Sequence, residues 1–326
     1  MRRRDLLESA VAAAALVPFG AAAQPALPII GFLSNGSAQA DESLRSALLD
    51  GLEQRGFVVG RNVAIEYRSA QGNNERLPSL TAELIELPAA ALVAYGLPAA
   101  LAAKKATATI PIVFSIGFDP VQLGLVANFN RPAGNATGVH LFLAEVISKR
   151  LELLREILPQ PGLIAYLHPG WRTPAAPVEL REVEAAAQAV GQPIMVLQGD
   201  NEDEIDNAFA TMAEREVRGL LFGASTYFQV IADKLVALAA RYHIPASYEW
   251  REFVAAGGLM SYSARRREAM RLVGDYAGRI LKGAAPADLP VMQSTRFELV
   301  LNLKTARELG LTIPHSLLQR ADEVIE

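Results

Sequence analysis

The sequence lacks cysteine altogether, and this absence removes several classes of chemistry. Its 326 residues contain no Cys and four His, so thiol catalysis, disulfide frameworks, iron–sulfur clusters and Cys-type zinc sites are excluded. The histidines, His140, His168, His243 and His315, lie too far apart in the chain to form a local metal motif. We therefore expect no metal site and no cofactor.

Common nucleotide-binding and hydrolase motifs are also missing. The chain contains no G-x-G-x-x-G, G-x-x-x-x-G-K-[ST], G-x-S-x-G or H-E-x-x-H pattern, so dinucleotide, P-loop, serine-hydrolase and zinc-protease chemistry has no sequence support. A formal net charge of -4 gives no general attraction to phosphate backbones. We expect neither a catalytic residue nor a nucleic-acid partner.

The first 23 residues have the order of an export signal. Residues 2–4 are arginines, residues 10–19 are largely apolar and residues 21–23 are alanines, which predicts a signal peptide cleaved after Ala23. The consecutive arginines resemble a twin-arginine signal, and Sec export is the alternative. We expect a periplasmic protein without a lipid anchor, since Cys is absent; a frayed N-terminal helix of a cytosolic protein is the competing interpretation.

Short apolar runs alternate with helical periods from residue 27 onward, which is typical of an α/β fold with parallel strands. The predicted strands are 28–33, 63–67, 90–94, 111–116, 163–167, 193–198, 219–222, 245–248 and 259–261. The segment 128–138 is rich in Gly, Pro and Asn, which predicts a loop. We interpret it as a crossing between two doubly wound lobes, and one larger sheet is the alternative.

Polar and aromatic residues follow the predicted strands, where ligands bind in open α/β sheets. The candidate ligand-binding residues are Ser34, Asn35, Ser37, Tyr95, Gly96, Phe118 and Asp119 in the first half, and His168, Trp171, Ser225, Thr226, Tyr227 and Glu249 in the second.

Several of these candidates also have an ordinary structural interpretation. Residues 34–37 would serve as a helix N-cap, and Asp119 before a proline as a turn residue. Trp171 and Tyr227 would pack as core aromatics, and Glu249 would pair with a nearby arginine on the surface.

Six strings carry a resemblance to one known family. They are IIGFLSNGS, IPIVFSIGFDPVQLGLV, NRPAGNATGV, KRLELLREILP, YEWREFVAAGGLMSY and FELVLNLKTARELGLTIPHSLLQRADEVIE. Together they resemble the periplasmic substrate-binding proteins of ABC transporters that are related to the tryptophan/tyrosine-binding proteins.

This resemblance implies a type I periplasmic-binding-protein fold, with two doubly wound parallel-sheet lobes joined by a hinge and crossed three times by the chain. We expect residues 24–138 plus about 264–292 to form the N-terminal lobe, and residues 139–263 plus about 293–326 the C-terminal lobe. It also implies a small-molecule ligand, an amino acid or aromatic carboxylate, clamped in the cleft.

The expected function is the exported binding component of an ABC importer, a monomer whose protein partner is the membrane permease. Closure would stabilise the bound state through contacts from both lobes. An ammonium group would be received by Asp119 or Glu249. One alternative is an enzyme using these two carboxylates as acid and base, and another is a ligand-sensing regulatory domain.

Overall fold

Residues 27–170 and 176–326 are described in the computed structural model of the chain, and they contain thirteen strands. These are β1 (Ile29–Ser34), β2 (Ala64–Ser69), β3 (Ala89–Tyr95), β4 (Ile112–Ile116), β5 (Ala136–His140), β6 (Ile164–His168), β7 (Ile194–Gln198), β8 (Gly219–Phe222), β9 (Ala246–Tyr248), β10 (Met260–Ala264), β11 (Met292–Gln293), β12 (Phe297–Asn302) and β13 (Glu323–Ile325). The predicted strands are all present, to within three residues at either end.

Helices fill most of the connections between these strands. They are α1 (Glu42–Glu53), α2 (Leu77–Glu86), α3 (Leu97–Ala106), α4 (Ile147–Ile157), α5 (Ala176–Ala189), α6 (Glu202–Glu214), α7 (Thr226–Val230), α8 (Ala232–Arg241), α9 (Arg251–Ala255), α10 (Arg266–Leu281), α11 (Leu303–Glu308) and α12 (His315–Leu318). Two short 3-10 helices cover Asn74–Arg76 and Pro286–Asp288.

The strands form two sheets instead of one. A six-stranded sheet has the order β11-β5-β4-β3-β1-β2, and a seven-stranded sheet has the order β13-β12-β10-β9-β8-β6-β7. Neighbouring strands are parallel throughout except for the antiparallel pair β10 and β12. The predicted α/β class with two mostly parallel sheets is confirmed, and the alternative of a single large sheet is wrong.

The chain passes between the two sheets three times. It leaves the six-stranded sheet after β5, returns after β10 and leaves again after β11. The returning helix α10 lies directly against α1, where a Cβ on Gly51 would meet the carbonyl oxygen of Arg271 at 2.0 Å. Small residues therefore fix this crossing helix on the first sheet. The residue boundaries of the lobes stay a prediction.

The predicted loop over 128–138 is wrong at its C-terminal end. Residues from Ala136 onward form β5, which pairs with β4 inside the six-stranded sheet. A Cβ on Gly138 would lie 2.1 Å from the carbonyl oxygen of Phe114, so β5 can pack against β4 only with glycine at this position. The same glycine contributed to the prediction of a loop. The first crossing follows His140.

Three hydrophobic clusters hold the sheets and helices together. The apolar stripe of α1, which includes Leu44, Leu48 and Leu52, is buried, and Gly56 follows the helix with a positive φ of 85°. This is the left-handed conformation that favours glycine after a helix end. No helix in the described part of the chain is long and apolar enough to cross a membrane.

Candidate functional site

A cavity of about 900 Å³ lies between the carboxyl ends of the two sheets. One wall comes from the segments after β1 to β5, and the other from the segments after β6 to β9. This is the place where open parallel sheets offer unpaired backbone groups to a ligand. We refer to these two surfaces as the first wall and the second wall.

Eight of the sequence-predicted residues line this cavity. They are Asn35, Tyr95, Gly96 and Phe118 on the first wall, and Ser225, Thr226, Tyr227 and Glu249 on the second. These residues come from five different strand ends, which the fold brings together. Contact with a ligand stays a prediction for each of them.

Ser34 and Ser37 do not line the cavity. The Ser34 hydroxyl accepts a hydrogen bond from the Gly36 amide at 2.8 Å, and the Ser37 hydroxyl accepts one from the Ala40 amide at 3.1 Å. Both hydroxyls thus shape the turn before α1. The N-cap interpretation of residues 34–37 is wrong, because the N-cap residue of α1 is Asp41 and no side chain among the described residues caps this helix.

Asp119 and His168 also lie outside the lining. Asp119 Oδ1 accepts hydrogen bonds from the amides of Val121 and Gln122 at 2.7 and 3.2 Å, so it holds a turn. His168 is fully buried, its Nδ1 accepts from the Gly170 amide at 3.1 Å, and burial lowers its pKa. Trp171 lies outside the described residues.

The two walls touch each other across the cavity. Asn35 donates from Nδ2 to the Thr226 hydroxyl at 2.8 Å, and a Cβ on Gly96 would lie 3.1 Å from Thr226 Cγ2. Nearby, the Tyr95 hydroxyl donates to Gln229 Oε1 at 3.3 Å. These direct contacts describe a closed cleft.

Arg266 connects both walls at the start of the crossing helix α10. Its Nη1 donates to the Tyr95 hydroxyl and to Gln229 Oε1, each at 2.8 Å, and its Nη2 lies 2.7 Å from Glu252 Oε1. Its guanidinium also lies 4.5 Å from the ring centroid of Trp250, within the range of a cation–π contact.

The surroundings of Arg266 keep it charged. Burial alone lowers its pKa, but the neighbouring Tyr95 and Glu252 raise it above the ordinary value. Burial also disfavours the charged form of the Tyr95 phenol, and because that form is an anion the pKa rises, to about 12. Tyr95 therefore stays a neutral hydroxyl that accepts from a permanent cation.

Glu249 is the buried charged group of the second wall, with 4% of its surface exposed. Its Oε1 has no hydrogen-bond partner among the described residues. Burial raises the pKa of this carboxyl well above its usual range, Arg150 and Arg266 lower it, and Glu179 raises it further. The expected surface pair with an arginine is wrong, because Arg251 binds Glu323 and Arg265 binds Asp322 instead.

A second carboxylate and one guanidinium lie behind Glu249. Glu179 accepts from the Ala224 amide at 2.6 Å, and burial raises its pKa to about 7. Arg150 is buried and donates from Nη2 to the Ser247 carbonyl at 2.7 Å. No side-chain nitrogen of Arg150 lies within 4.0 Å of a carboxylate oxygen of Glu179 or Glu249, so the guanidinium forms no direct ion pair with either of them in the described structure.

The sequence analysis missed this group, although a signal exists. Arg150 lies in the apolar stripe of α4 with Ile147, Leu151 and Leu154, and Glu179 lies in the stripe of α5 with Ala176 and Val183. A charged residue on the apolar face of a helix must find partners in the core. No cluster of His, Cys, Asp or Glu among the described residues could hold a metal ion.

The profile of one family, described as ABC transporter substrate binding protein, matches residues 29–325. A curated relative, the tyrosine-binding protein of Clostridioides difficile, is 24% identical over 279 residues, which cover 83% of this chain and 77% of the relative.

Solved structures give the same fold. An ABC domain from Streptococcus pneumonia in complex with L-Trp has a TM-score of 0.84 at 25% identity, covering 92% of this chain and all of that one. A conserved domain protein from Vibrio cholerae has a TM-score of 0.83 at 26% identity, covering 91% and 99% of the two chains. The ligand-free, open structure of an adhesive substrate binding protein from Clostridium difficile has a TM-score of 0.67 at 22% identity, covering 92% and 99%.

Proposed function

Because the chain belongs to the family of ABC transporter substrate-binding proteins, we propose that it captures a small ligand, an amino acid or aromatic carboxylate, and presents it for import. The observation that carries this proposal is the cavity between the two walls, which contains aromatic surface and one buried, incompletely paired carboxylate. Such a combination of apolar surface and few polar anchors is typical of small-ligand sites.

A closing movement of the two sheets fits the contacts across the cleft. Asn35 and Thr226 meet directly, and Arg266 contacts residues of both walls. The similarity to a Trp-bound structure, with a TM-score of 0.84, exceeds that to a ligand-free open structure, with 0.67. Ligand contacts made from both walls would stabilise the closed state at the expense of the open one.

Aromatic side chains favour a ligand with a ring. Tyr95, Phe118, Tyr227 and Trp250 line the cavity, and stacking between rings contributes about 0.5–1.5 kcal/mol beyond the area buried. Relatives point in the same direction, since one is named a tyrosine-binding protein and another is solved with L-Trp.

The proposed route runs through the periplasm to a membrane permease. Residues 1–23 would direct export and be removed, leaving a monomer. N-terminal sequencing of the protein from an osmotic-shock fraction tests this step, with a new N-terminus at Gln24 as the expected result. An intact Met1 in the cytoplasmic fraction would contradict it.

A binding protein releases its ligand unchanged, whereas the alternative, an enzyme that uses Asp119 and Glu249 as acid and base, would convert it. Asp119, one of the two carboxylates required for it, holds a turn and lies outside the cavity lining. We therefore propose transport binding without turnover. Incubation with candidate ligands, followed by mass spectrometry, should recover them unaltered.

A direct binding experiment tests the proposal. Small molecules released from the purified protein are identified by mass spectrometry, and tryptophan, tyrosine, phenylalanine and their deaminated acids are screened by thermal shift. Bound ligand stabilises the protein by RT ln(1 + [L]/Kd), which is about 2.7 kcal/mol at 100 Kd. A flat response to every compound, or accumulation of product, would overturn the proposed function.

A further inference from the structure

The charged residues that line the cavity are all acidic. They are Glu75, Asp200, Glu202 and Glu249, and no Lys, Arg or His lines it among the described residues. Negative charge facing a confined volume favours cationic groups and disfavours anionic ones. A ligand carboxylate therefore finds no side-chain cation among the described lining residues, whereas an ammonium group finds carboxylates.

Glu249 differs from the other acidic residues of the lining. Glu75 and Glu202 are exposed, and Glu202 pairs with Lys234 at 2.9 Å. Glu249 is buried, it lines the cavity, and its Oε1 has no hydrogen-bond partner in the described part of the chain. A buried acceptor without a partner costs free energy until a donor reaches it.

The charges around Glu249 do not balance when every carboxyl is ionised. Arg150 and Arg266 face Glu249, and Glu179 adds a second buried carboxyl, while Arg266 is itself paired with Glu252, whose other cationic neighbour is Arg251. Arg266 is already engaged by Glu252 at 2.7 Å, so Glu179 and Glu249 share the field of Arg150. A buried cluster with one excess negative charge takes up a proton.

We propose that the cleft selects ligands that carry a cationic nitrogen, that Glu249 receives this nitrogen, and that binding expels one proton from the cluster. The inference rests on the proposed function and narrows its ligand class to ammonium compounds. The ligand ammonium keeps its own proton and donates a hydrogen bond to the carboxylate. The proton that leaves for solvent is the one held by the cluster in the empty protein.

The affinity then depends on pH in a defined direction. The ammonium group stabilises the ionised carboxylate, so the pKa of the cluster is lower with ligand than without it. Between these two pKa values binding releases a proton, and the affinity rises with pH by up to about tenfold per pH unit. Tyr166, whose hydroxyl faces Glu179, has a pKa raised by burial and stays neutral in this range.

Two triads of compounds separate the contributions of the ligand groups. Tryptophan, tryptamine and indole-3-propionate share one ring, and tyrosine, tyramine and 3-(4-hydroxyphenyl)propionate share another. We expect the members with an amine to bind and the deaminated acids to bind at least about thirtyfold more weakly, the factor that corresponds to 2 kcal/mol for an unpaired buried charge.

Proton release is measured by calorimetry at pH 7 in buffers of different ionisation enthalpy. The observed binding enthalpy of an amine ligand should vary linearly with the ionisation enthalpy of the buffer. The slope gives the number of protons released per ligand bound, and we expect a value of up to one. Glu249→Gln keeps the size of the side chain and should abolish most of the slope while weakening amine binding about thirtyfold or more. Glu214→Gln, at the exposed C-terminal end of α6 and outside the cavity lining, is the matched control and should leave both unchanged.

The outcomes distinguish this inference from the function on which it rests. Absence of binding by every compound overturns the proposed function and the inference with it. Binding of indole-3-propionate as tight as that of tryptophan, or a zero slope for the wild type, keeps the function and overturns the inference. If Glu249→Gln fails to fold, the slope measured for the wild-type protein across the buffers still tests whether binding releases a proton.

Discussion

The two walls of the cleft treat polar groups differently. On the first wall the buried polar residues Asn35 and Ser115 are neutral, and behind it Asp41 is partnered by the Tyr67 hydroxyl at 2.7 Å. On the second wall Glu249 lies at the surface of a buried cluster of charges. Neutral hydrogen bonds keep their strength over a wide pH range, whereas the charged cluster responds to pH and to ligand charge. The first wall thus shapes the site and the second gives it a charge preference.

Removing Arg150 should cause the largest effect, because it breaks the charge balance of the second wall. In Arg150→Met the carboxylates of Glu179 and Glu249 lose the guanidinium between them, and we expect a loss of about 3–5 kcal/mol in unfolding free energy at pH 8. The loss should shrink at pH 5, below the pKa of about 7 that burial gives Glu179, because a protonated carboxyl needs no counter-charge. Urea denaturation at the two pH values measures this.

The matched control for Arg150 is an arginine on the same helix. Arg155 belongs to α4 but is exposed, so Arg155→Met should change stability by less than about 0.5 kcal/mol. Equal losses in the two variants would contradict a special role for the buried guanidinium.

Arg266 tests the link between the walls. Arg266→Gln removes the hydrogen bonds to Tyr95 and Gln229 and the ion pair with Glu252, and we expect a loss of about 1–3 kcal/mol in unfolding free energy. The open state should also gain population, since these contacts join the two sheets. Small-angle scattering without ligand would then give a larger radius of gyration.

An adjacent arginine provides the control for this link. Arg267 is exposed next to it on α10 and donates to the carbonyl of Ser43 in the first turn of α1, so it contacts only the side of the first sheet. Arg267→Gln should therefore leave the radius of gyration unchanged. An unchanged radius in Arg266→Gln as well would show that the link does not control closure.

The pH dependence of stability between pH 5 and pH 7 probes the buried carboxyl of Glu179 behind the second wall. Burial raises the pKa of Glu179 to about 7 from an ordinary value of 4.5, so the folded state binds protons more tightly than the unfolded state. Its contribution favours folding at low pH and weakens as pH rises from about 5 to about 7, by up to about 1.4 kcal/mol per pH unit. Glu179→Gln keeps the acceptor for the Ala224 amide and should flatten this part of the curve.

Glu182 supplies the comparison for that curve. It lies on α5 like Glu179 but is exposed, and Glu182→Gln should reproduce the wild-type pH dependence. A curve that rises between pH 5 and pH 7 in the wild type, with no change in Glu179→Gln, would contradict the buried charge cluster.

The fold was largely predictable because buried parallel strands are continuous apolar runs, which periodicity separates from helices. Strand β5 escaped prediction because its residues Ala136, Thr137 and Gly138 carry little apolar surface. Its place in the sheet depends on close backbone packing against Phe114, a tertiary feature. Local propensity contains no information about such a contact.

The site was predictable where position along a strand decides the outcome. Asn35, Tyr95 and Thr226 follow strands whose carboxyl ends meet, so topology alone brings them together. Arg150 and Glu179 could not be placed in the same way, since their partners come from other elements. Arg266 belongs to a run of three arginines that resembles an exposed helix start, yet the crossing buries it between the walls.

Asp119 should give the smallest effect and thereby sharpen the contrast between the walls. The sequence makes it a candidate for an ammonium group, but its Oδ1 accepts from two local amides and it lies outside the lining. Asn accepts such hydrogen bonds as well as Asp does, so Asp119→Asn should change ligand affinity less than about twofold, against about thirtyfold for Glu249→Gln. Calorimetry with the tightest-binding amine of the two triads makes the comparison. A tenfold loss in Asp119→Asn would place a charge on the first wall and remove the proposed asymmetry of the cleft.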